Sequence, residues 1–171
     1  MTDWTTLTLV QPRLRREWEL RRGDEAVALL SLSLFRSGAE ARVGGRQLVI
    51  ERQGRMRSES LVRDPVTGEL LARLHSEGRR RLVEVGGRVA EWKRLGRKEG
   101  HGFVDSEGAP FLRARVKTGL TRTGGEVEIA PGIPEQDGLV LALLASYLLI
   151  RKAEEDASVA ATTASVASSS T

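Results

Sequence analysis

Four clusters of basic residues are the groups in this sequence best suited to binding a ligand. One contains Arg13, Arg15 and Arg16. The other three supply the candidate anion-binding residues, which are Arg52, Arg55, Arg57, Arg79, Arg80, Arg81, Lys93, Arg94, Arg97 and Lys98. Guanidinium groups form bidentate hydrogen bonds with phosphate and carboxylate. On one face of a fold, these clusters would hold an anionic headgroup or a nucleic-acid backbone. The alternative is solvated charge on the outward faces of strands.

Composition narrows the classes of partner only slightly. The chain has 27 basic and 23 acidic residues, a net charge of +4, and arginine as its main basic residue. This balance is consistent with a phosphate-bearing partner, but the interspersed acids are equally typical of a solvated surface. Cysteine is absent, which excludes disulfides and thiolate metal sites.

No spacing in the sequence predicts a catalytic group, a cofactor or a metal site. His75 and His101 lack the partners of a zinc or triad motif, and we interpret them as ordinary surface or loop histidines. Asp105 begins a turn that resembles a calcium loop, but the twelfth position is Val116 instead of glutamate. The glycine-rich segment 118–125 lacks the Gly-Lys-Ser/Thr of a P-loop.

The elements that carry these residues are predicted to be short strands. Apolar and polar residues alternate in segments 18–21, 28–34, 82–85 and 127–129, which is the period of a half-buried strand. Paired glycines and Asp-to-Gly segments between such runs indicate hairpin turns. We count about twelve strands between Trp4 and Ala130, with no helix among them.

The strand region contains an internal repeat. Val43-Gly44-Gly45-Arg46 returns 42 residues later as Val85-Gly86-Gly87-Arg88, and Arg52 returns as Arg94 at the same offset. Each copy reads as an antiparallel unit of about four strands. Two of the basic clusters are equivalent in the repeat, so a duplicated unit would present them in related places. Trp92 would lie beside the second of these or, on the opposite strand face, in the core.

One segment, Gly138–Ile150, is thirteen residues long without a charge and predicts the only helix, over about 134–152. A helix that is apolar on all sides has to be enclosed on all sides, and at ~1.5 Å per residue it is too short to span a bilayer. The predicted fold is therefore all-β with one buried helix: a closed antiparallel barrel of about twelve strands over 1–152. Residues 153–171 are rich in Ala, Ser and Thr and are predicted to be a disordered tail.

This order of elements, with the turn that runs from Val62 through Asp64-Pro65-Val66-Thr67-Gly68 to Ala72, resembles the tubby C-terminal-like superfamily. That group includes tubby, the plant LURP-one-related proteins and the phospholipid scramblases, and small bacterial-type members are the most similar. Over Trp4 to Lys152, the resemblance implies a twelve-stranded barrel threaded by a hydrophobic helix. It also implies phosphoinositide binding through surface basic residues. The calcium segment of scramblases is matched here by only two acids, Glu135 and Asp137.

We therefore expect a non-enzymatic binding or tethering module, without cofactor, whose ligand is an anionic phospholipid headgroup. A nucleic-acid or protein-interaction scaffold is the alternative, and a scramblase-like membrane protein is a further one. The first residues lack the basic and apolar regions of a signal peptide, so we expect a cytoplasmic monomer, with peripheral membrane association left open.

Overall fold

The computed structural model describes residues 3–12, 16–33, 38–53, 59–118 and 123–168. Twelve strands precede one helix, α1, at Glu135–Ser168. The strands are β1 (Thr5–Val10), β2 (Glu17–Arg22), β3 (Glu25–Leu32), β4 (Ala39–Val43), β5 (Arg46–Gln53), β6 (Glu59–Arg63), β7 (Leu70–Glu77), β8 (Arg80–Val85), β9 (Arg88–Gly96), β10 (Gly100–Val104), β11 (Pro110–Thr118) and β12 (Thr123–Ile129).

The strands form a closed antiparallel barrel in which each pairs with its neighbours in sequence, and β1 closes the barrel against β12. Leu7 of β1 lies opposite Val127 of β12, and both are buried. Every second residue points inward because side chains alternate along a strand. The predicted fold class is confirmed, including the number of strands.

Helix α1 occupies the interior of this barrel. Residues 141–147 are all buried, and Leu141, Leu143 and Leu144 have no exposed surface. Along its length the helix packs most closely against β11. The strands enclose the apolar segment on every side, as its uniform hydrophobicity predicts.

The helix is longer than the sequence predicts. It continues beyond residue 152 to Ser168, so the prediction of a disordered tail from residue 153 is wrong for the described part of that segment. The buried turns provide a formed nucleus, and adding a residue to an existing helix avoids the cost of nucleation. The segment is rich in alanine, which is the best helix former. Residues 169–171 lie outside the described residues.

The sequence repeat corresponds to two sets of hairpins. Gly44-Gly45 joins β4 to β5, and Gly86-Gly87 joins β8 to β9 at the matching place four strands later. All four glycines have positive φ. The copies have diverged in their contacts. Arg46 donates to buried Asp64 at 2.7 Å, whereas its counterpart Arg88 lies over the ring of Phe111.

Candidate anion-binding site

The two ends of the barrel are distinguished by α1. Near its first turn, Arg22 of β2 pairs with Glu135 at 2.9 Å, so the β2–β3 hairpin lies where the helix starts. Where the helix leaves the barrel, Arg16 of the β1–β2 connection pairs with Glu154 at 2.6 Å. We call these the start end and the exit end. Because all strands are antiparallel neighbours, connections alternate strictly between the two ends.

This alternation separates the charges of the connecting segments. Among the described residues, the segments that join strands at the exit end contain four basic residues, Arg16, Arg79, Arg97 and Lys98, and one acidic residue, Glu99. The six at the start end, counting the segment that leads into α1, contain five acidic residues and no basic ones. The described members of the four basic clusters belong to the exit end or to the strand residues beside it. Topology therefore brings together clusters that are far apart in sequence.

Three of the candidate residues, Arg52, Arg94 and Arg81, lie on the inward faces of their strands. Arg52 follows buried Leu48 and Ile50 on β5, and Arg94 follows buried Ala90 and Trp92 on β9. Each stands beyond the last apolar layer, where the barrel opens around α1. This explains why the repeat places Arg52 and Arg94 in equivalent positions.

On β8, Arg81 precedes inward-facing Val83 and lies opposite Trp92. The turn residue Arg79 and the connection residues Arg97 and Lys98 are exposed beside it. We refer to Arg52, Arg79, Arg81, Arg94, Arg97 and Lys98 together as the basic mouth.

Most residues of the basic mouth make no ion pair in the described part of the chain. Within the described residues, five of its members make no ion pair: Arg79, Arg81, Arg94, Arg97 and Lys98. The other predicted residues differ. Arg80 pairs with Glu91 on the outer face at 3.2 Å, and Lys93 is exposed on that outer face, so neither belongs to the mouth. Arg55 and Arg57 lie outside the described residues, as do Arg13 and Arg15.

The charges within the mouth influence one another. Although Arg81 as a whole is exposed, desolvation of its guanidinium and repulsion from Arg52 lower its pKa from the ordinary value of an arginine. The group remains a cation at neutral pH. The electrostatic free energy of a cluster of like charges falls when an anion binds, because the anion offsets their mutual repulsion.

His101 belongs to the same surroundings. The sequence places it in a loop, but it lies on β10 and stacks on Trp92 with ring centroids 5.6 Å apart, so the loop prediction is wrong. Burial, Lys152 and Arg94 together lower the pKa of His101 from 6.5. Trp92 is a core residue, which decides between the two positions that the sequence allows. The stacked rings of Trp92 and His101 therefore line the inner side of the basic mouth.

A groove of about 390 Å³ lies at the mouth between β10, β11 and α1. Its cationic walls include Arg97, Lys98, Arg115 and Lys152. Arg115 pairs with Glu126 at 3.0 Å and Lys152 with Asp156 at 3.2 Å, so the first two are the groove's free cations within the described chain. A volume in this range accommodates a phosphorylated headgroup.

A larger cavity, about 770 Å³, opens at the start end instead. Val27, Leu71 and Leu139 contribute apolar surface to it. Two charged groups at its rim, Arg22 and Arg46, are already paired with carboxylates. Arg42, which also lines this cavity, makes no ion pair in the described structure, so the start end holds an unpaired cation as well.

Sequence reasoning missed the contributions of α1 and β10 to the mouth. Lys152 and Arg151 were visible only as residues after the apolar helix, and His101 only as part of a glycine-rich stretch. The alternation of side chains along a strand could have indicated the position of His101. It is two residues before Phe103, which is fully buried, so both side chains point to the same face. Placing α1 beside the basic clusters required the barrel topology.

Comparison with protein-family models, curated proteins and solved structures finds no match to this chain. Among the described residues, no three His, Asp or Glu side chains form a cluster suited to a metal ion. No helix in the described ranges combines the length and the apolarity needed to cross a membrane.

Proposed function

We propose that this protein is a non-enzymatic binding or tethering module that uses the basic mouth to bind anionic phospholipid headgroups. The observation that carries the proposal is the gathering of Arg79, Arg81, Arg94, Arg97 and Lys98 at one end without ion pairs in the described structure. Near an anionic membrane surface, each such cation contributes about 1 kcal/mol.

Geometry favours a membrane surface over a nucleic acid. The cations lie on neighbouring strands and turns at one end of the barrel, so this part of the end can face a plane of headgroups beside the emerging helix. Single-stranded nucleic-acid sites combine a basic groove with aromatic side chains on which bases stack. Trp92, the aromatic residue beside the mouth, is only 8% exposed and already covered by His101.

The interior of the barrel supports binding over catalysis. Helix α1 fills the space that an enclosed active site would need, and the mouth offers cations without a nucleophile–base pair. The resemblance to the tubby C-terminal-like superfamily points to the same function, since tubby-type domains bind phosphoinositides through basic surface residues.

Vesicle co-sedimentation tests this proposal. The protein is mixed with neutral phosphatidylcholine vesicles, or with vesicles that also contain phosphatidylserine or a bisphosphorylated phosphatidylinositol. The test variant is Arg94→Gln with Arg97→Gln, and the matched control is Arg42→Gln with Arg63→Gln, which removes the same charge away from the mouth. We expect the mouth variant to lose about 2 kcal/mol, or roughly thirtyfold in affinity, with much less change in the control.

Equal binding to neutral and anionic vesicles would refute the proposal. So would equal losses in the two variants, because this would show that net charge alone drives binding. Binding to an oligonucleotide that depends on Arg94 and Arg97, without binding to vesicles, would establish the nucleic-acid alternative.

A further inference from the structure

Three consecutive acidic residues, Glu154, Glu155 and Asp156, lie on α1 at the exit end. We call them the acidic triplet. They directly follow the last buried turn of the helix and stand beside the basic mouth. Glu99 is the single acid in the described strand connections at this end, and the triplet adds three neighbouring carboxylates there.

Each member of the triplet faces a cation. Glu154 accepts hydrogen bonds from Arg16 at 2.6 Å and from Arg151 at 3.3 Å. Asp156 pairs with Lys152 at 3.2 Å. Glu155 makes no ion pair in the described structure, but its charge acts on the guanidinium of Arg81.

Acidic residues on an exposed helix usually serve only to stabilise that helix through pairs three or four positions apart. That explanation covers the Lys152–Asp156 pair. It does not cover the bond from Glu154 to Arg16, which is 138 residues away on the barrel, or the effect of Glu155 on β8. Glu154 thus pairs with a cation of the barrel as well as with Arg151 of the helix, and the charge of Glu155 acts on Arg81 of the barrel.

We propose that the acidic triplet is an internal counter-charge that makes the basic mouth selective for multiply charged headgroups. The inference rests on the proposed function of that mouth. An incoming anion meets these carboxylates beside the cations of the mouth, since Asp156 lines the same groove as Arg97 and Lys98. A headgroup with one net charge gains little from this exchange, whereas a headgroup with several phosphate charges outcompetes the triplet.

The test variant is Glu154→Gln, Glu155→Gln and Asp156→Asn together. Its matched control is Asp24→Asn, Glu25→Gln and Glu107→Gln, three exposed acids at the start end without ion pairs in the described structure. Both variants change the net charge equally. Binding is measured on phosphatidylserine vesicles and on vesicles containing a bisphosphorylated phosphatidylinositol, matched in total lipid charge.

We expect the triplet variant to bind phosphatidylserine vesicles roughly tenfold more tightly than the original protein, and to lose most of its preference for the phosphorylated lipid. The control should gain less than about threefold. The single variant Glu155→Gln leaves the Arg16–Glu154 bond intact and therefore tests the electrostatic effect without disturbing the helix. It should show part of the gain.

Equal gains in the triplet variant and the control would overturn the inference, since net charge would then explain both. An unchanged lipid preference in the triplet variant would overturn it while leaving the proposed function in place, provided that Arg94→Gln with Arg97→Gln still weakens binding. If that double variant also binds like the original protein, the proposed function fails as well.

Discussion

Replacement of Leu144 by alanine is predicted to be among the most destabilising conservative changes in this chain. Leu144 has no exposed surface and lies at the middle of the buried part of α1. Removing a buried leucine side chain costs about 2–5 kcal/mol, and the cost is larger where the surroundings cannot collapse into the void. A closed ladder of twelve strands fixes the circumference of the barrel, so we expect about 3–5 kcal/mol here.

Urea unfolding measured by tryptophan fluorescence provides the assay, because Trp18 and Trp92 are both buried. Val159→Ala is the control: Val159 lies on the same helix but is 67% exposed, so its loss should change the free energy of unfolding by less than about 0.5 kcal/mol. A total stability of roughly 5–15 kcal/mol makes the expected loss at Leu144 easy to measure.

A charge at the same position should have a stronger effect. Leu144→Asp places an unpaired carboxylate in the interior, and we expect this variant not to fold. A Leu144→Ala variant that loses less than about 1 kcal/mol, or a Leu144→Asp variant that melts cooperatively, would refute the conclusion that the helix is the enclosed core.

Three further predictions concern the hairpins and the mouth. A hydrogen bond from Arg46 and two from backbone N–H groups lower the pKa of Asp64 from 3.8 to about 2, so the stability that this carboxylate contributes should be lost as the pH falls through that interval. Acid unfolding curves should show this loss, and Asp64→Asn should remove it. Gly86→Ala should destabilise more than Gly44→Ala: both glycines have φ of +54°, but only at Gly86 would the new Cβ lie 2.3 Å from Asp137 Oδ2. NMR titration of His101 should give a pKa below 6.5, and its contribution to stability should fall as the pH drops below that value.

The glycine comparison contains its own control. Asp137→Ala in the Gly86→Ala background should bring its stability loss close to that of Gly44→Ala, since only the shared backbone strain then remains. An equal loss in the two single variants would show that Asp137 turns aside without cost. For His101, a pKa at or above 6.5 would contradict the placement of this ring beside Lys152 and Arg94.

Much of the architecture was predictable because two simple patterns determine it. Apolar and polar residues alternate with period two between glycine turns, and this pattern predicts the strands. An apolar segment too short to span a membrane predicts the helix inside the barrel. The continuation of α1 past residue 152 was not predictable in this way, because residues 153–168 have no apolar face. Their helical state depends on the buried turns before them, which is a property of the folded barrel.

The candidate site was predictable only in part. Local sequence identifies Arg52, Arg81 and Arg94 as members of basic clusters, but not that all three face the opening around α1. Residue parity within a strand decides which arginine faces inward, as the contrast between Arg80 and Arg81 shows. Ion pairs depend on the tertiary structure. Glu91 lies on the next strand and pairs with Arg80, and the periodicity of the sequence does not predict this pair.

The position of α1 after all twelve strands has a consequence for biosynthesis. The ribosome makes every inward-facing strand residue before it makes the segment that covers them. The sheet also cannot close until β12 has been made, because β1 pairs with β12. Until then the growing chain exposes apolar strand faces and unpaired strand edges, which are prone to aggregation. The nascent protein therefore depends on protection, by a chaperone or by rapid completion of synthesis, until its last element arrives.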